Sequence, residues 1–146
     1  MRIFSAKCIS NSYQNTLTLG ENFAKTLKAG DIVCLFGDLG AGKTAFVKGM
    51  ANGLKLKAPH VHSPTFTLMN VYDGKVPLYH FDLYRITGDD LFNIGYDEFF
   101  YGKGISAVEW SERLGSLLPK QYWHVTLKHR GEDKREITIR HEDPRD

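Results

Sequence analysis

Gly37-Asp38-Leu39-Gly40-Ala41-Gly42-Lys43-Thr44 is the stretch that decides the fold of this chain. It satisfies GxxxxGK followed by Ser or Thr, the pattern of a phosphate-binding loop. Gly37 and Gly42 admit backbone conformations closed to larger residues, so the N–H groups from Gly37 through Asp38, Leu39, Gly40, Ala41 and Gly42 can converge on one concavity. A helix N-terminus beside that concavity adds a positive dipole end. Lys43 supplies a mobile charge for the β and γ phosphates of a nucleotide, and the Thr44 hydroxyl supplies a ligand for Mg2+. The flanks agree with the motif. Ile32-Val33-Cys34-Leu35-Phe36, an unbroken apolar run bounded by Asp31 and Gly37, reads as a strand buried on both faces of a mostly parallel sheet. After the loop, Phe46, Val47 and Met50 recur at helical steps, which predicts a helix from about Gly42 to Asn52 stopped by Gly53.

Working outward, a strand is expected around Arg2 to Ile9, then a helix capped by Ser12 or Asn11, with Leu17, Phe23, Ala24 and Leu27 inward and Gly30 at its end. Leu54 to Pro64 lacks periodicity and reads as a loop. Thr65 to Tyr72 and Val76 to Leu83 alternate as two antiparallel strands around Asp73-Gly74, a dipeptide of tight hairpin turns. One or two short helices over Gly88 to Phe100, a buried strand at Ile105 to Val108 and a helix from Ser111 to Leu118 ahead of Pro119 come next. Trp123 to Lys128 and Arg135 to Arg140 close the chain as a hairpin around Arg130-Gly131-Glu132-Asp133. The sum is α/β: a single P-loop NTPase-like domain over 1–146, its sheet mixed and mostly parallel, flanked by helices and extended by antiparallel strands. The polar tail from Arg140 to Asp146 is expected to fray.

Composition narrows the function. A chain of 146 residues supports one core and not two. Lys and Arg number 19 against 17 Asp and Glu, and the net charge of +2 lacks the field of a dedicated nucleic-acid binder. No run approaches the roughly 18 apolar residues of a membrane span, and the opening residues do not resemble a signal peptide, so a cytoplasmic setting is expected. Cys8 and Cys34 lack zinc or redox spacing and read as buried thiols of a reducing compartment. No NKxD motif is present to read guanine.

A phosphate nest only binds; hydrolysis also needs an acidic group at the end of a neighbouring strand and something to orient the attacking water. Leu78-Tyr79-His80-Phe81-Asp82 and Ile105-Ser106-Ala107-Val108-Glu109 each end an apolar strand on a carboxylate, and spacing does not rank Asp82 against Glu109. Ser63-Pro64-Thr65-Phe66 lies where a γ-phosphate-sensing switch would sit, with the Thr65 hydroxyl on offer; a Pro-led turn into a strand is the alternative. His60 and His62 lack further partners at ligand spacing and read as surface residues rather than a metal site. Arg85 can pair with Asp82, touch a phosphate or dock a partner's acidic group. Trp110 either caps the core or faces an interface.

GDLGAGKT, SPTFTL from Ser63 to Leu68, HFDLYR from His80 to Arg85 and EWSE from Glu109 to Glu112 occur in that order. Together they resemble the TsaE family, also called YjeE, over nearly the whole chain. Members are small bacterial ATPases that act with TsaB and TsaD in making threonylcarbamoyladenosine beside the anticodon of tRNAs that read codons beginning with A. The resemblance implies that the loop with Lys43 binds ATP, that Thr44 and Glu109 hold Mg2+, that Asp82 lies by the phosphates and metal-bound water, and that Thr65 is the switch residue. It also implies weak turnover alone, used to reset the TsaB–TsaD complex, with transfer chemistry on TsaD and tRNA met only through the complex; no DNA and no membrane are involved. Tyr13 stands near where some members have an acidic residue, so no base-binding residue is carried over from that region.

Two rivals stand beside that reading. A nucleoside or metabolite kinase could use the same scaffold, although the chain has little length for a lid or acceptor-binding insertion. A direct tRNA binder could use Lys48, Lys55, Lys57, Arg130, Lys134 and Arg135 as a groove; near-neutral charge weakens it.

Overall fold

The structure is a computed structural model that describes residues 5–38, 40–56, 69–86 and 88–144. The elements follow in the order β1 (Ser5–Ser10), α1 (Tyr13–Ala24), β2 (Ile32–Phe36), α2 (Lys43–Gly53), β3 (Met69–Tyr72), β4 (Leu78–Asp82), α3 (Gly88–Asn93), α4 (Tyr96–Phe100), β5 (Ile105–Glu109), β6 (Tyr122–His129) and β7 (Arg135–Glu142). Short 3-10 turns at Ser111–Arg113 and Gly115–Leu117 stand between β5 and β6.

The seven strands form one sheet in the order β1-β7-β6-β2-β5-β4-β3. Its centre, β6-β2-β5-β4, is parallel; β7 and β3 run against it at either side, and β1 pairs antiparallel with β7 at the edge. The run at residues 32–36 takes the central place because both its faces are apolar. Val33 and Leu35 join Phe23, Phe46, Val47 and Met50 under α1 and α2. Ile32 and Cys34 join Phe81, Leu91, Phe100 and Val108 under α3 and α4. Burial pushes the Cys34 thiol up to about 12, whereas Cys8 is only half-buried, short of the burial expected for both. Because β2, β5 and β4 run the same way, their C-terminal ends meet at one edge, where open α/β sheets bind ligands.

Helices α1 and α2 touch backbone to backbone. A Cβ on Gly20 would strike the Phe46 carbonyl, and one on Gly49 the Leu17 carbonyl. Ser12 caps α1 as expected, its hydroxyl accepting the Asn15 N–H at 3.0 Å. The helix ends at Ala24 rather than at Gly30. Thr26 N–H and Leu27 N–H turn back to the carbonyls of Phe23 and Ala24, which tightens the chain into a 3-10 exit, and Asp31 receives the Lys28 N–H at 2.9 Å.

Three further expectations are corrected. Register pairs Tyr72 with Leu78, so five residues, not Asp73-Gly74 alone, join β3 to β4; Pro77, without an N–H, cannot extend that ladder as a donor. The helix expected from Ser111 to Leu118 is two 3-10 turns, with Gly115 at φ +55. The polar tail does not fray at Arg140. Arg140, His141 and Glu142 pair with His124, Trp123 and Tyr122, so alternation along β7 carries the strand past the point where composition turns polar.

Candidate nucleotide-binding site

The loop after β2 bends as its glycines require. Gly37 has φ +148 and lies so close to β6 that a Cβ would meet the Leu127 carbonyl, and Gly42 has φ +96 as the N-cap of α2. Gly40 adds a third positive φ, +80. Asp38 and Gly40 are exposed and Ala41 is buried; Leu39 lies outside the described residues. Gly42 has no side chain with which to cap α2, so the first-turn amides of the helix remain directed at the loop, the arrangement that favours an anion.

Lys43 is 5% exposed. Its ammonium donates to the Gly37 carbonyl and, at 3.1 Å, to the Asp38 carbonyl, and it sits 3.9 Å from the centroid of the Trp110 ring. Burial lowers its pKa below the ordinary lysine value, against the opposing pull of Glu109, Glu112, Asp82 and Asp38. A lysine desolvated in this way gains from an anionic partner that also accepts hydrogen bonds.

Thr44, the next residue, donates its hydroxyl to both oxygens of Glu109 at 3.0 Å each. Sheet order explains why Glu109 and not Asp82 makes this contact. Strand β5 lies directly beside β2, with Glu109 in register with Leu35, whereas β4 is one strand further out. Asp82 is the register partner of Glu109, placing two carboxylates on adjacent strand ends. Burial raises the Asp82 pKa; the Tyr84 N–H, donating to Oδ1 at 3.0 Å, opposes that rise, and Glu109 adds to it. Hydroxyl and carboxylate oxygens in this arrangement suit Mg2+, which takes one or two protein ligands and fills its octahedron with phosphate oxygens and water. Among the described residues, no group of three or more His, Cys, Asp or Glu forms an all-protein metal cage.

Of the other sequence-level candidates, Thr65, His60 and His62 lie outside the described residues, and Arg85 is exposed in the turn after β4. Trp110 is partly buried against the α3–α4 side of the core, which favours the capping reading, and it reaches Lys43 because its φ is +59, uncommon for a bulky residue. Of the expected basic groove, Lys57 lies outside the described residues, and the two arginines engage different partners. Arg130 pairs with Glu136 at 2.7 Å, whereas Arg135 turns to the loop and donates to the Gly40 carbonyl at 3.2 Å.

Two side chains at the site had no role assigned to them there from sequence. Arg135, expected in the basic groove, is one, and no local pattern marks its place beside the loop. His80 is the other: its Nε2 lies 2.5 Å from Glu109 Oε2. Strand parity was the available signal, since His80 and Asp82, two apart on one strand, share a face.

Comparison with known proteins decides the family. The model described as threonylcarbamoyl adenosine biosynthesis protein TsaE matches residues 10–137. This chain belongs to the TsaE family. The TsaE protein of Treponema pallidum is 43% identical over 134 residues, covering 91% of this chain and 98% of its own. TsaE of Bacillus subtilis is 44% identical over 127 residues, covering 86% of this chain and 79% of its own. TsaE of Aquifex aeolicus is 50% identical over 107 residues, covering 72% and 76% respectively. A crystal structure of Bacillus subtilis YdiB superposes with a TM-score of 0.80 at 36% identity, covering 99% of this chain and 90% of that one. The span matched to TsaE contains the loop, Thr65, His80, Asp82, Glu109 and Arg135. No helix among the described residues is long and apolar enough to cross a membrane.

Proposed function

We propose that this TsaE-family chain binds and hydrolyses magnesium-ATP to support threonylcarbamoyl modification of adenosine in tRNA. The observation that carries this reading is the contact of Thr44 with Glu109, which puts a hydroxyl and a carboxylate at the mouth of the phosphate loop. Loop amides and Lys43 bind the phosphates, Lys43 exchanging its bonds to Gly37 and Asp38 for phosphate oxygens. Thr44 and Glu109 hold Mg2+, which when bound neutralises charge developing on the phosphates. Asp82, its pKa raised by burial, accepts a hydrogen bond from the attacking water and orients it. Thr65 senses the γ-phosphate.

Turnover is weak alone and rises with TsaB and TsaD, whose complex it resets between rounds. Contact with tRNA comes through that complex, in the cytoplasm, without DNA or membrane. The names of the relatives, tRNA threonylcarbamoyladenosine biosynthesis proteins, support this assignment, as does the pairing of Arg130, from the expected basic groove, with Glu136. Measuring ATP loss by the purified chain with and without TsaB and TsaD tests it. The expected result is slow loss alone and faster loss with both. Rapid, partner-independent transfer of phosphate to a small acceptor would replace this reading with a kinase.

A further inference from the structure

His80 is the buried side chain at the site to which the chemistry above assigns nothing. It is 0% exposed. In β4 it pairs in register with Ala107, two residues below the Asp82–Glu109 pair, so its ring lies one pleat beneath the Glu109 carboxylate. Nε2 is 2.5 Å from Glu109 Oε2. A carboxylate offers only lone pairs, so the imidazole donates. The other ring nitrogen, Nδ1, is buried with no partner among the described residues.

That unmatched nitrogen is informative. A ring kept here only to fill space would serve better as phenylalanine, which has a comparable shape and leaves no polar atom unsatisfied. Retaining histidine makes sense if Nε2–H is needed, and Glu109 is what it touches. Glu109 turns about several side-chain torsions and is held by two donors of different character. The Thr44 hydroxyl is itself expected at the metal, whereas His80, with two torsions and a strand backbone beneath it, is fixed by the sheet.

We infer that His80 is a positioning residue, holding Glu109 in the rotamer that completes the magnesium shell. The inference rests on the proposed role of Glu109. Metal-ligating side chains are commonly oriented by such outer partners, and losing one weakens metal affinity about 10- to 100-fold.

The test is calorimetry of ADP binding to the full chain across a Mg2+ series, with an EDTA reference, for wild type, His80→Phe, His80→Gln and His80→Asn. Glutamine can place an amide N–H near the position of Nε2, whereas the shorter asparagine cannot. His80→Phe is expected to need about tenfold more Mg2+ for the same gain in affinity, with metal-free binding unchanged within about twofold. In the complex with TsaB and TsaD, kcat should fall about tenfold with KM for ATP within about threefold, and His80→Gln should recover most of the loss. If His80→Phe does not fold, the Gln and Asn variants make the same comparison between two polar side chains. Equal Mg2+ requirement in wild type and His80→Phe, or no advantage of Gln over Asn, overturns the inference while leaving the nucleotide site intact. A wild-type chain whose nucleotide binding ignores Mg2+ overturns the site reading and this inference together. Long-range 1H–15N spectra of the free chain give an independent arm: a His80 ring without hydrogen on Nε2 also overturns it.

Discussion

At the residue scale, Lys43 and Glu109 meet at one site but have separable consequences. Lys43 is a buried cation satisfied by two carbonyls and an aromatic face. Replacing it with alanine removes a charge-assisted partner for phosphate, so Lys43→Ala is expected to weaken nucleotide binding roughly tenfold or more by calorimetry. Glu109→Ala leaves the loop amides and Lys43 in place. At saturating Mg2+ its nucleotide binding is expected within a few-fold of wild type, while ATP hydrolysis in the reconstituted complex falls about a hundredfold or more. Normal hydrolysis by that variant would remove Glu109 from the metal. Asp82 provides a pH argument of opposite sense to most carboxylates. Its folded pKa is raised, chiefly by burial, so the stability it contributes is present below the unfolded value and lost as pH rises through the folded one. Asp82→Asn keeps an acceptor for the Tyr84 N–H and removes the buried charge. Its melting temperature at pH 7 is therefore expected at or above that of wild type while turnover is lost, as in other trade-offs of stability for function; a clear fall in melting temperature would contradict this.

At the element scale, the α1–α2 pair reverses an ordinary expectation. Glycine inside a helix usually costs about 1 kcal/mol relative to alanine, so propensity alone makes Gly49→Ala stabilising. Packing makes it destabilising, because the added methyl would meet the Leu17 carbonyl, a backbone atom that cannot move aside alone. Gly49→Ala is expected to lose about 1–3 kcal/mol in urea unfolding, the range for overfilled interiors. A gain would show that α1 can shift at little cost. Gly53, expected from sequence as a stop signal, is the last residue of α2 and also belongs to this contact, facing the Glu21 carbonyl.

At the scale of the whole molecule, Glu136 ties the antiparallel side of the sheet together. Lys7 from β1 and Arg130 from the β6–β7 connection both bind its carboxylate, at 2.9 and 2.7 Å, and these bonds hold its pKa at about 2 against an ordinary 4.5. A depressed carboxylate contributes stability that is present above the unfolded pKa and lost as pH falls through the folded one. Thermal unfolding from pH 7 down to 2 should therefore show a loss, concentrated between about 4.5 and 2, that Glu136→Gln lacks. Salt should shrink the difference, since Lys7 and Arg130 are exposed. An unchanged acid limb in the variant would show that the pair does not couple these strands.

The sequence by itself determined what depends on neighbours within a few residues. Residues 37–44 carry the pattern of a phosphate loop in their glycines, Lys43 and Thr44, and residues 32–36 had to be buried on both faces because nothing in them is polar. A cap at Ser12 or Asn11, one or two short helices over residues 88–100 and two carboxylates at strand ends follow from equally local chemistry. Tertiary structure alone decided which carboxylate meets Thr44, since that depends on β5 rather than β4 lying beside β2. It also decided that Arg135, bonded to carbonyls of the β6–β7 connection, reaches the Gly40 carbonyl as well, that His80 lies under Glu109, and that three glycines serve helix contact. The physical reason is that strand order and helix approach minimise the free energy of packing summed over distant segments, whereas turns, caps and periodicity are settled by steric and hydrogen-bonding choices made along the chain.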